Sequence, residues 1–126
     1  MITREKSLTS SFFLALNMCF LLEAQASEKD INAFWCLDQK GIVEFRTRYG
    51  TYVDCLTEQY AIEAEFDYNW KESIGQSLHY AEATGKQAAI LFIKTNKKRK
   101  DYLSELKSVI KFFELPITVF VIDETD

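Results

Sequence analysis

The stretch Thr51-Tyr52-Val53-Asp54-Cys55-Leu56-Thr57-Glu58-Gln59-Tyr60-Ala61-Ile62-Glu63-Ala64-Glu65-Phe66 decides the reading of the fold. Residues 51–56 and 60–66 are both rich in β-formers, and the polar Thr57-Glu58-Gln59 connects them. Immediately upstream, Ile42-Val43-Glu44-Phe45-Arg46 is a further β-rich run, and Arg48-Tyr49-Gly50 supplies hairpin chemistry between the two. Three antiparallel strands in a row are the simplest arrangement. Before them, residues 27–40 carry Ile31, Phe34, Trp35 and Leu37 at roughly helical spacing, with Gly41 as a stop. After them, Trp70, Ile74, Leu78 and Ala81 share one face of a predicted helix over 70–84, which Gly85 ends. The continuous apolar run 88–93 predicts a buried strand. Asp101 can cap a helix with the stripe Leu103, Leu106, Val109, Ile110 and Phe113, which Pro116 terminates before a last strand over 117–122. The order α-β-β-β-α-β-α-β predicts an α/β sandwich with a mixed sheet.

The chain has 126 residues, 48% hydrophobic, with 15 Lys plus Arg against 19 Asp plus Glu and a net charge of −4 at pH 7. That balance excludes intrinsic disorder and a protein that coats nucleic acid by bulk positive charge. Residues 1–26 read as a secretory signal: Arg4 and Lys6 make a basic start, an apolar run follows from Phe12 to Leu22, and Ala24-Gln25-Ala26 is a small-x-small cleavage site. The run is about eleven residues, against about 20 for a membrane-spanning helix, so a permanent anchor is not expected. Residues 27–126 then form a single domain, periplasmic or secreted. Cleavage removes two charges of each sign and leaves the net charge unchanged. It also leaves Cys36 and Cys55 as an even pair entering an oxidising compartment. They are either a disulfide closing a loop of about 19 residues, on the order of 3 kcal/mol in the chain-entropy account, or two buried thiols.

Four acids sit in the strand region: Glu44, Asp54, Glu63 and Glu65. On a strand, Glu63 and Glu65 share one face, and pairing across residues 57–59 brings Asp54 near them. Converging carboxylates repel unless a cation neutralises them, and their hard oxygens suit Mg²⁺ or Mn²⁺. A solvated strand face has the same pattern. On the following helix Gln76 and Tyr80, four apart, share a face and can touch a phosphate or a metal-bound water.

Asp54, Glu63-Ala64-Glu65 on the next strand, and Gln76-Ser77-Leu78-His79-Tyr80 on the helix after it resemble the PD-(D/E)XK nuclease superfamily, in particular its members with a Gln-xxx-Tyr helix motif. The run 53–57, Ala61-Ile62-Glu63, Trp70 and Ile74-Gly75-Gln76-Ser77-Leu78-His79-Tyr80 are also similar to small exported bacterial proteins of that fold. The resemblance covers nearly all of residues 27–126. It implies a restriction-endonuclease-like α-β-β-β-α-β core with an additional C-terminal helix and strand. In it, Asp54 and Glu63 hold Mg²⁺ or Mn²⁺, Glu44 is an accessory acid, and Gln76 and Tyr80 contact nucleic acid, DNA ahead of RNA. The implied activity is that of a metal-dependent endonuclease or exonuclease.

The chain departs from the family at one position that matters. The family's lysine belongs two residues after Glu63, where this chain has Glu65; Lys71 is the candidate replacement, and Asn69 stands where some similar proteins place a lysine. Losing a cationic donor at the transition state costs a few kcal/mol, so a catalytically impaired fold that binds nucleic acid or an envelope protein is the alternative. Lys97-Lys98-Arg99-Lys100 can grip phosphates or be a solvated turn. His79, the only histidine, reads as a hydrogen-bonded helix residue rather than a general base. No C-x-x-C pair is present, which disfavours structural zinc and thioredoxin-like chemistry.

Overall fold

The computed structural model describes residues 26–95 and 100–126. The expected signal segment up to residue 25 and the proposed phosphate contacts Lys97, Lys98 and Arg99 lie outside the described residues. The described chain is α/β, with a five-stranded mixed sheet and three α-helices: α1 (Glu28–Asp38), β1 (Ile42–Arg46), β2 (Tyr52–Leu56), β3 (Tyr60–Phe66), α2 (Trp70–Thr84), β4 (Gln87–Lys94), α3 (Tyr102–Phe112) and β5 (Ile117–Asp123). A 3₁₀ turn over Asp67–Asn69, which the sequence pattern does not announce, leads into α2.

The strands lie in chain order across the sheet. β1, β2 and β3 pair antiparallel as expected, and β3, β4 and β5 pair parallel. Parallel strands buried on both faces need apolar side chains on both, and β4 supplies them. Ala89, Leu91 and Ile93 pack with Ile62, Ala64, Ile31, Trp35 and Phe120 toward α1. Ile90 and Phe92 pack with Trp70, Ile74, Leu106 and Val109 toward α2 and α3. The result is a sheet between two helical layers.

Two apolar stripes are narrower than their spacing predicts. In α1, Ile31 and Trp35 pack inward, but Phe34 and Leu37 are 83% and 66% exposed. In α3, Phe113 stands in the cap, 65% exposed, edge-on to Phe112. Both helices touch the sheet along a single seam, so residues at the flank of the stripe stay in solvent.

Cys36 and Cys55 form a disulfide with a Cα–Cα distance of 5.6 Å, tying α1 to β2. Gly41 has a second reason to be glycine besides ending the helix. A Cβ there would stand 2.7 Å from both sulfurs, while Lys40 takes the left-handed conformation at φ 59°. The β1–β2 turn closes through Thr47 and Thr51, whose hydroxyls meet at 2.7 Å. It docks on α2, where Arg48 pairs with Glu82 and Thr51 Oγ1 lies 2.8 Å from His79 Nε2. His79 is therefore a structural contact of the hairpin.

Candidate metal centre

Pairing of β2 with β3 runs only through Cys55 against Ile62 and Leu56 against Ala61, although both strands continue past that point. Continuing the register sets Asp54 opposite Glu63, where the backbones have parted. β3 is left with amide N–H groups facing the gap, and buried N–H groups need acceptors. Carboxylates supply them. Asp54 Oδ2 accepts from Ala64 N at 2.8 Å, and Phe66 N donates to Glu28 Oε2 and Glu65 Oε1, both at 3.2 Å. The opening of the sheet is what gathers the acids.

Asp54 reaches the gap because strand alternation breaks there. Val53 and Leu56 pack with Ala61 and Tyr80, whereas Cys55 packs in the α1 layer. Residues two apart share a face of a regular strand, so the backbone turns between Val53 and Cys55. Across from Asp54, Glu44 adopts φ 54° between the pairs Val43–Cys55 and Phe45–Val53. From α1, Asn32 Nδ2 donates to Asp54 O at 2.9 Å and holds this irregular segment down.

The acids form two side-chain pairs. The Asp54 and Glu63 carboxyls are in hydrogen-bonding contact, and so are Glu65 and Glu28. Glu63 is 5% exposed. Burial first, and then the charge of Asp54, pushes its pKa up to about 10. Burial also raises Asp54, against the pull of its hydrogen bonds from Glu63 and the Ala64 amide. Burial, followed by the contact with Glu28, takes Glu65 up to about 8. Tyr80 is buried against Glu63; burial and the neighbouring carboxylates raise its phenol, so it stays neutral and can donate. Without a cation the Asp54–Glu63 pair is relieved by holding a proton.

Among the described residues, no group of three His, Cys, Asp or Glu side chains is arranged to hold a metal ion. The Asp54–Glu63 pair nevertheless has the donor chemistry for one. Both side chains offer hard oxygens, and Glu63 Oε2 is buried without a hydrogen-bond partner among the described residues. A divalent cation would satisfy that oxygen and displace the shared proton.

The remaining expected residues take other places. Glu44 is half-exposed in an ion pair with Lys29, 3.0 Å from Nζ to Oε1, close enough for its charge to act on Asp54. Lys71 is exposed, with its ammonium 5.9 Å from the Trp70 ring centroid. Gln76 is exposed one turn before Tyr80, so the pair is split between surface and interior. Glu28, Lys29 and Asn32 escaped the sequence reading. In the sequence Glu28 resembles an ordinary first-turn acid favoured by the helix dipole, and Asn32 lies within an apolar stripe with nothing to mark its contact. Only the seating of α1 over the sheet gap gives them a role.

No family model matches this chain, and neither does any curated protein or solved structure.

Proposed function

We propose that the protein is an exported nuclease-like hydrolase of restriction-endonuclease-like fold, dependent on Mg²⁺ or Mn²⁺ and acting on the phosphodiesters of nucleic acid, DNA ahead of RNA. The observation that carries this reading is the buried Asp54–Glu63 pair at the parting of β2 and β3, with an unpartnered carboxylate oxygen. Asp54 and Glu63 would hold the cation, with Glu44 at its periphery. When bound, the cation polarises a phosphoryl oxygen and lowers the pKa of water. The chain's own part is to present and orient. Tyr80 fixes Glu63 from behind, and Asn32 fixes the Asp54 backbone.

Beside the start of α2 lies an open cavity of about 740 Å³, lined by Tyr68, Trp70, Lys71, Lys100, Tyr102 and Glu105. Aromatic faces interleaved with ammonium groups suit bases and phosphates of a single strand, and Lys71 belongs to this surface. The disulfide fits export, and among the described residues no helix is long and apolar enough to cross a membrane.

The test is incubation with single- and double-stranded DNA and with RNA, in Mg²⁺, Mn²⁺ or EDTA. Metal-dependent cleavage is expected, abolished in the Asp54→Ala, Glu63→Ala double variant. Cleavage no greater than that of the double variant removes the catalytic claim.

A specific observation favours a second reading. Glu65 occupies the place of the family's lysine and pairs with Glu28, and among the described residues no ion pair reaches Asp54, Glu63 or Glu65. Such a site binds without efficient turnover. Salt-sensitive DNA binding without cleavage would establish a nucleic-acid module, and retention of an envelope protein at high salt a protein-binding one.

A further inference from the structure

Two buried side-chain oxygens lack hydrogen-bond partners among the described residues, Glu63 Oε2 and Asn32 Oδ1, and both belong to residues bonded to Asp54. An orphaned buried acceptor carries a desolvation penalty that a native structure ordinarily relieves. Asn32 is 3% exposed, so bulk water does not relieve it. Its amide orientation is set by chemistry. The atom 2.9 Å from the Asp54 backbone O must be the donor, which leaves Oδ1 as the buried acceptor without a partner among the described residues. Two buried acceptors without donors, on the residue that meets the Asp54 carboxyl and on the residue that holds its backbone carbonyl, suit a bound positive group. An amide oxygen is a good ligand for a hard divalent cation, and it adds the third oxygen that the Asp54–Glu63 pair lacks.

We propose that Asn32 Oδ1 is the third protein oxygen of the cation site formed with Asp54 and Glu63, recruited from α1. The inference rests on the metal-centre reading above and extends it to a neutral ligand outside the acidic motif. It also explains why an asparagine is kept in the interior, in the helical stripe between Ile31 and Cys36.

Calorimetric titration of the disulfide-bonded protein with Mn²⁺, together with the Mn²⁺-dependent rise in melting temperature, tests both levels without any substrate. Wild type is expected to bind, and Glu63→Gln to lose binding. Asn32→Ala is expected to bind about tenfold more weakly or worse, the size of loss usual for groups that support a metal site. Asn32→Asp discriminates a ligand from a prop. It has no donor for Asp54 O but presents an oxygen, so it binds at least as tightly as wild type if Asn32 is a ligand, and as poorly as Asn32→Ala if the donor is all that counts. Should Asn32→Ala fail to fold, Asn32→Ser keeps a donor and removes the amide oxygen, and the same weakening is expected. Binding by wild type with unchanged affinity in Asn32→Ala, or equal weakening in Ala and Asp, overturns this inference alone. Absence of Mn²⁺ binding by wild type overturns the metal-centre reading and this inference with it.

Discussion

A glutamate buried beneath Tyr80 and against Asp54 is most costly when ionised, and that gives the metal-free protein a pH dependence of definite sign. Glu63 moves from an ordinary 4.5 to about 10 on folding, so between those values the folded state holds a proton that the unfolded state has lost. Stability contributed by this group is full below the lower value and declines as pH rises through the window. In EDTA the melting temperature is expected to fall from about pH 5 to about pH 8, and Glu63→Gln, a mimic of the protonated acid, to flatten that slope. A slope unchanged in Glu63→Gln would assign the titration elsewhere. Gly41 is a different single-residue constraint. Because a Cβ would press on Cys36 and Cys55 at 2.7 Å, Gly41→Ala is expected to destabilise by about 1–3 kcal/mol in urea unfolding. Glu63 and Glu65 were legible because strand alternation sets them on one face, and Asp54 because pairing across residues 57–59 brings it opposite Glu63. Gly41's packing was not, since its turn signal already accounted for it and the sulfurs arrive from elements on either side.

At the scale of elements, each strand and helix has a local cause in the sequence, and every expected element is present with its ends shifted by a residue or two. α2 illustrates the strength of such signals. It ends at Gly85, φ 71°, whose N–H reaches Ala81 O, and no atom lies near where a Cβ would be. Gly85→Ala therefore meets only the left-handed backbone cost, and a loss of about 1 kcal/mol is expected in urea unfolding. A loss above about 3 kcal/mol would mean that the position packs more tightly than its open surroundings indicate. What local signals do not encode is where pairing stops. The run 60–66 reads as one uniform strand, yet its first half is paired with β2 and its second half is served by carboxylates. The parting follows from the irregular backbone at Asp54 and Glu44, a property of the three-strand assembly. Likewise, the exposure of Phe34, Leu37 and Phe113 depends on how little of α1 and α3 the sheet covers.

For the whole molecule, the decisive link is the Cys36–Cys55 disulfide, because it joins the helix that carries Glu28, Lys29 and Asn32 to the strand that carries Asp54. Closing a loop across 19 residues of sequence separation restricts the unfolded chain, and for a domain this small on the order of 3 kcal/mol is a large share of its stability. The same bond fixes the distance between α1 and β2 at the point where the acids gather, so its loss should be felt at the site as well as in the fold. Reduction is expected to lower the urea midpoint without abolishing the transition, since the helix still packs through Ile31 and Trp35. In the protein that remains folded, Mn²⁺ affinity should fall in parallel, because Asn32 and Asp54 are no longer held in register. A Cys36→Ala, Cys55→Ala double variant separates the bond from the reductant and should reproduce both effects. If the variant melts earlier but binds Mn²⁺ as tightly as the oxidised protein, the disulfide only stabilises the fold, and α1 is kept over the sheet gap by packing and the Asn32 hydrogen bond alone.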